Sequence, residues 1–463
     1  MPSNERLAAL VTEAGFLDRS GAIGWKRFTR AVNETHAART AGRSYTHTYV
    51  SRWLNSVTPR DDATREAIRE ALGTRLGRTV SPDELGFRIT LTISPDVGLS
   101  YPANPEDGVT AVAQLLEGDL SGTSQLVDAG ENVAAWNDAS LAWLVGSQRA
   151  LTGSDGAIRI GASDVDRLRA MRHTFDRLDS MFGGVHARAA LVQYLRTDLP
   201  RLLRSEGRAP IRERLFSAAG ELTQLAAWMS YDAGLHGLAQ RYFIQALGFA
   251  DAGRDRLLSA SILDAMSHQA SFLGRYREAA NMARAARLGT QDSAAPILTA
   301  HFHIMEARAL ARTGDAASCD RAMDAAVEHF GQHTPGEGPE WIGYFDDAEL
   351  AAELGHCHRD LGRPAQAIEH AARALDSASG DYARSDFFVA MVLADAHLDD
   401  GDIEEGCRIA EQAITVGESL DSVRCHTYVS EFRERLAPHR TSSVAREFAG
   451  RIRTSRLWTP AGT

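Results

Sequence analysis

Hydrophobic positions recur at helical spacing from the start of the chain. Leu7, Ala8, Leu10 and Val11 predict a first helix, and Gly21 breaks the chain after it. A second helix is expected from about Gly24, with Trp25, Phe28 and Val32 facing inward. The segment from Tyr45 to Asn55 opens a third on a polar cluster. Val50, Trp53 and Leu54 fall at i, i+3 and i+4 and share a face, while Thr46, His47, Thr48, Tyr49, Ser51 and Arg52 point outward. Asn55 to Arg60 is a turn, and a fourth helix, Ala63 to Leu76, carries Ile68, Leu72 and Leu76 on one side. Val80 to Leu85 closes this part as a capped final turn.

Between about Arg88 and Ser163 the periodicity weakens. Arg88 to Ile93 alternates like a short strand, and Ser94 to Pro105 is rich in Pro, Gly and Asn. Apolar patches at Val109 to Leu116 and Ala139 to Val145 predict short helices. From Ser163 to about Leu457 the chain reads as amphipathic helix pairs. A glycine followed four residues later by Glu or Gln and five later by Ala, then by small residues four and seven further on, is clearest from Gly274 to Ala286 and from Gly362 to Ala374. The equivalent positions 239, 279, 319, 367 and 406 are spaced by 40, 40, 48 and 39 residues. Small residues suit the close crossing of two helices in a pair, which is the logic of tetratricopeptide-like repeats. The expected organisation is all-α: a helix-turn-helix over residues 1–87, a connecting region over 88–162 and a tetratricopeptide-like α-solenoid over 163–457.

A chain of 463 residues with 44% hydrophobic content is expected to form two or more globular domains. It has no eighteen-residue apolar run, and its opening residues lack the layout of a secretory signal, so a cytoplasmic protein is expected. Cys319, Cys357, Cys407 and Cys425 form no C-x-x-C pair and read as buried thiols. The net charge of -11 argues against nucleic acid until its distribution is considered. Between Phe16 and Arg60, the basic Arg19, Lys26, Arg27, Arg30, Arg39, Arg43, Arg52 and Arg60 face only Asp18 and Glu34. A basic module on an acidic body suits a DNA reader with a separate sensing or assembly domain.

The third helix anchors itself with one apolar stripe and leads with donors, acceptors and an arginine, which suits a DNA major groove. It resembles the recognition helix of the Xre (Cro/repressor-like) helix-turn-helix family. With Ala71 to Val80, Phe182 to Arg188, Ala227 to Asp232, His236 to Phe243 and Tyr344 to Leu350, the chain resembles actinobacterial regulators that join an Xre-type helix-turn-helix to tetratricopeptide-like repeats. The resemblance implies a homodimeric transcriptional regulator that binds double-stranded DNA and controls development or secondary metabolism. One departure is the long connection from Asn33 to Ser44, where a compact helix-turn-helix has three or four residues.

The residues expected to meet DNA are Lys26, Arg27, Thr46, His47, Thr48, Tyr49, Ser51, Arg52 and Arg60, with Trp53 an apolar anchor. Lys26 and Arg27 open the second helix, where side-chain charge and helix dipole together attract phosphate. Aligning the repeats places Trp228, Tyr231, Asp264, His268, His301, Arg308, His356, Arg359, Phe388 and Asp395 on the concave surface. Arginine, histidine and aromatic rings there fit a small amphipathic effector or short peptide with an acidic group. Alternatively the groove is a wetted or packed interior, with Asp264 and Asp395 pairing with the cations. The pairs His301/His303 and His356/His358 diverge on a helix and do not chelate from one face. No metalloprotease, P-loop or serine-hydrolase motif occurs, so neither catalysis nor a cofactor is expected. A second reading of the whole is a protein–protein interaction scaffold with a vestigial helix-turn-helix.

Overall fold

The computed structural model describes residues 4–55, 57–59, 62–80, 83–86, 93–146, 159–182, 184–291, 295–377 and 382–459. Over these residues the chain is all-helical, and its only β-type pairings are two isolated bridges. It divides into two compact units, Met1–Thr92 and Ile93–Thr463.

The first unit holds α1 (Glu5–Glu13), α2 (Trp25–Asn33), α3 (His36–Thr40), α4 (His47–Leu54) and α5 (Asp62–Leu76). Leu7, Val11, Phe28, Val32, Val50, Ile68 and Leu72 are fully buried in one core, and Trp53 is 2% exposed. Trp25 departs from its expected inward position and is 40% exposed. The buried stripe of α2 is Phe28, Thr29 and Val32, and Trp25, at the first residue of the helix, overhangs the end of that layer. The long connection after α2 is not a loop throughout, because it contains α3.

The second unit begins with α6 (Pro105–Leu120), α7 (Ser124–Val127), α8 (Val133–Val145), α9 (Ala162–Phe182) and α10 (Gly184–Leu203). Helical hairpins follow: α11 (Ala209–Asp232) with α12 (His236–Ala252), α13 (Arg256–Phe272) with α14 (Tyr276–Thr290), and α15 (Pro296–Thr313) with α16 (Ala316–Gly331). Next come α17 (Asp347–Asp360) with α18 (Pro364–Asp376) and α19 (Ala383–Asp400) with α20 (Ile403–Gly417), and last α21 (Val423–Leu436) and α22 (Ser443–Arg451). The small-residue positions of the repeats all sit at the fourth residue of a second helix. Ala239, Ala279, Cys319 and Ala367 are fully buried there, and a Cβ on Gly406 would lie 3.0 Å from the Ala394 carbonyl of the partner helix. Bulk at these positions would force each hairpin open.

Residues 93–146 belong to the body of this second unit instead of linking two bodies, since α6 packs on α10 and α12 and α8 packs on α14. The Pro/Gly-rich stretch is tied down by α12: Arg241 donates to the carbonyls of Pro95 (2.7 Å) and Val97 (3.1 Å), and Gln245 to those of Gly98 and Ser100. The strand expected at Arg88 to Ile93 falls mostly outside the described residues, and Ile93 itself is not in a strand.

The first helices of the hairpins, α11, α13, α15, α17 and α19, form a row that α21 continues. That row curves until its ends meet. Asp232, at the end of α11, accepts hydrogen bonds from the Gly184 N–H (2.9 Å), Ser422 Oγ (2.6 Å) and Arg384 Nη1 (3.3 Å).

Candidate nucleic-acid interface and inner groove

The polar face of α4 is exposed as its periodicity requires. Val50, Trp53 and Leu54 are buried, while Thr46, His47, Thr48, Tyr49 and Arg52 are exposed. Among the described residues, the side chains of Thr46, His47, Thr48 and Arg52 have no hydrogen-bond or ion-pair partner. Tyr49 is 46% exposed and leans on Tyr45 and Trp53, whose rings lie 5.9 and 6.2 Å away, so its ring is propped outward. Ser51 is only half-buried, and its carbonyl accepts from the Asn55 side chain. Lys26 is exposed at the start of α2, whereas Arg27 donates Nη1 to the Leu17 carbonyl at 2.9 Å and is committed to the fold. Arg60 lies outside the described residues.

Two asparagines set the position of α4. Asn33, the last residue of α2, donates Nδ2 to the Tyr45 carbonyl (2.9 Å) and accepts from the Tyr45 N–H at Oδ1 (2.8 Å). The Tyr45 hydroxyl is joined to Thr64 Oγ1 on α5 at 2.8 Å. At the other end, the Asn4 N–H donates to the Leu54 carbonyl (2.9 Å) and its side chain to that of Leu85 (2.9 Å). Between these fixed points, Glu70 of α5 accepts the first two N–H groups of α3, from His36 (2.8 Å) and Ala37 (3.0 Å). These N–H bonds hold the Glu70 carboxyl below its usual range, that of Ala37 foremost.

Residues 7–88, nearly the whole first unit, match the family model described as the SP15 N-terminal domain. No curated protein and no solved structure matches the chain.

In the second unit the expected groove residues do come together, on α11, α13, α15, α17 and α19, but most of them are buried. Tyr231, Asp264, His301, His356, Arg359, Phe388 and Asp395 are buried, and Trp228, His268 and Arg308 partly so. The cations are matched by acids. Arg308 pairs with Glu353, Arg359 with Asp360 (2.8 Å) and Asp395 (3.1 Å), and His301 Nδ1 with Asp264 (2.5 Å). His301 Nε2 also lies 3.1 Å from the Tyr344 hydroxyl. Burial works against the His301 imidazolium, but the charge and hydrogen bond of Asp264, with Glu353 and Glu349 nearby, raise its pKa. His268 and His356 are held neutral, first by burial and then by the surrounding arginines. The expectation that histidine helps to hold an acidic group in this groove is therefore corrected for His268 and His356.

A cavity of about 50 Å³ lies among these residues. It is lined by His268, Ser271, Phe272, Met305, Arg308, Arg312, Arg359, Asp360, Thr427, Tyr428 and Glu431. Among the described residues no group of three or more His, Cys, Asp or Glu is arranged to hold a metal ion. No described helix is long and apolar enough to cross a membrane.

Sequence reasoning missed the α21 contribution. Arg424 lies over the rings of Tyr231 (4.8 Å) and Phe388 (4.4 Å), Tyr428 stacks on Phe388 at 4.6 Å, and Arg435 meets Asp395 at 3.3 Å. Arg312 and Asp360 were within reach, since each follows a selected residue of its own helix by one turn or one position. The α21 residues carry no copy of the repeat phrase and gave no such signal.

Proposed function

We propose that the chain is a sequence-specific transcriptional regulator that binds double-stranded DNA through α4 in the manner of an Xre-type recognition helix. The observation that supports this best is the division of α4 into two faces. Its apolar side chains are all in the core, and its other face presents the Tyr49 phenol ring together with hydroxyls, an imidazole and a guanidinium that have no hydrogen-bond or ion-pair partner among the described residues. Such a face matches the donor, acceptor and methyl pattern of a major groove, with Arg52 suited to a guanine edge. The basic surroundings supply the sequence-independent part of affinity.

A single small module contacts few phosphates, so the active form in this reading is a homodimer on an inverted repeat, with half-sites about one helical turn apart or a multiple of it. The second unit supplies the dimer contact. It also takes the effector, a small amphipathic molecule or peptide with an acidic group, of which only the acidic group enters the small cavity between α13, α15, α17 and α21. There the acidic group competes with Asp360 and Glu431 for Arg312, one third of whose side-chain surface is exposed (33%). By its resemblance, the regulated genes serve development or secondary metabolism.

The test is selection of duplexes from a random pool by the full-length protein, followed by a salt titration. A DNA reader recovers a common sequence and loses affinity steeply as counterions compete. A scaffold with a vestigial helix-turn-helix recovers none.

A further inference from the structure

Residues 34–44 build a rigid element whose packing role is small. Its helix, α3, has both ends closed. At the front, Thr35 Oγ1 accepts from the Ala38 N–H (3.2 Å), and Glu70 takes the His36 and Ala37 N–H groups. At the back, Gly42 adopts φ +61°, and the Arg43 N–H returns to the Ala38 carbonyl at 2.9 Å, a closure that needs a left-handed residue. Yet within α3 only Ala38 is buried. Arg39 and Arg43 project into solvent from this braced turn, and among the described residues neither side chain makes a hydrogen bond or an ion pair, although Arg39 lies within electrostatic reach of Glu70. Glu70, the acid beside α3, has both oxygens engaged by backbone N–H groups.

Chain length limits how far Arg43 stands from the tip of α4, and Arg39 lies one helical turn before it on α3. Arg43 stands three residues before Thr46, the cap of α4, a span of at most about 10–11 Å. A helix with its side chains is about 10–12 Å across and the major groove about 12 Å wide. A guanidinium held within that distance of the tip of α4 is close enough to reach the phosphates on the wall of a groove that α4 enters.

We propose that α3 and its exit form a second DNA contact, in which Arg39 and Arg43 grip the sugar–phosphate backbone beside the groove read by α4. This rests on the DNA-reading function proposed above. The contact contributes affinity and orientation but no sequence preference, because phosphates carry no base identity. The Asn33–Tyr45 and Glu70–α3 hydrogen bonds keep the two contacts in fixed register.

The experiment measures equilibrium binding of the full-length protein to its selected duplex and to a random duplex between 50 and 200 mM salt. Replacing both arginines (R39Q/R43Q) should reduce the slope of log affinity against log salt by about 1.8, so the affinity lost across that range shrinks by about tenfold. The loss should be equal on both duplexes. The charge-preserving R39K/R43K should restore the slope, while R52A should instead narrow the difference between the two duplexes. An R39Q/R43Q protein with the unaltered slope overturns the α3 contact and leaves the α4 reading in place. If the unaltered protein selects no duplex, the DNA reading itself fails, and the α3 contact with it.

Discussion

Asn33 and Tyr45 exchange two hydrogen bonds, 2.9 and 2.8 Å long, across the whole inserted segment. A carboxamide that bonds both the N–H and the C=O of one residue acts as a short piece of ladder, so the end of α2 and the entry to α4 keep a fixed separation. Asn33→Ala leaves both backbone groups of the buried Tyr45 without partners, each worth about 1–3 kcal/mol if water cannot replace the bond. The expected result is a lower melting temperature for the first unit and faster amide exchange at Tyr45. Weaker binding to the selected duplex should accompany it. Unchanged exchange and affinity would show that the clip is dispensable.

Within α4, replacements on opposite faces should separate reading from folding. Arg52→Ala and Tyr49→Ala remove exposed side chains and should each weaken specific DNA binding by about 1–3 kcal/mol with the fold intact. Trp53→Ala empties a site in the core beside Tyr45 and should destabilise the first unit by about 3–5 kcal/mol. Circular dichroism melts and binding to specific and random duplexes make the comparison. Operator binding by the Arg52 variant equal to that of the unaltered protein would falsify its role.

The meeting of first and last hairpins depends on Arg384, which contacts Asp179 at 2.9 Å and Asp232 at 3.3 Å. Asp179 and Asp232 are buried, and burial pushes the Asp179 carboxyl up against the pull of Arg384. Arg384→Ala leaves buried Asp179 without its ion-pair partner, a loss of about 3–5 kcal/mol, while Asp232 keeps its hydrogen bonds from Gly184 and Ser422. The second unit should then lose protection in hydrogen exchange first at α9, α19 and α21. Equal protection in variant and parent would mean that this contact does not hold the row closed.

Acid should loosen the second unit through its buried and half-buried neutral histidines, among them His268, His356, His303 and His358. His303 is lowered to about 4, by burial first and then by Arg287 and His329. His358 is likewise lowered to about 4, by burial and then by His370 and Arg363, against Asp320 and Glu369. The unfolded imidazoles take up protons near 6.5, so the stability these groups confer is complete above that pH and is lost progressively as pH falls towards about 4. His301 acts in the opposite direction. Its folded pKa is raised, so its contribution is complete below 6.5 and disappears as pH rises through the raised value. Stability measured against pH should decline less steeply on the acid side in H303Q/H358Q. Proton NMR titration of His303 and His358 near 6.5 in the folded protein would refute the assignment.

Much of the local architecture was legible in the residues alone. The two faces of α4 and the small residue at the fourth position of each second helix follow from a period of 3.6, which any short window reveals. The shared face of Asp264, His301, Arg308, His356 and Arg359 follows in the same way, because repeats stack in register. What those groups touch was decided elsewhere. The curvature of a repeat row is the sum of small rotations at each hairpin interface, and no single window contains that sum. It brings α21 into the groove, pairs Arg435 with Asp395, and joins Asp232 to Arg384 across 152 positions. The same holds on a smaller scale in the first unit. The inserted segment reads as polar and featureless, and it becomes a helix because Glu70, 34 residues beyond His36, lies where it can accept the first N–H groups. Periodicity determined which side chains share a face, and long-range closure determined whether that face meets solvent, a ligand or its own chain.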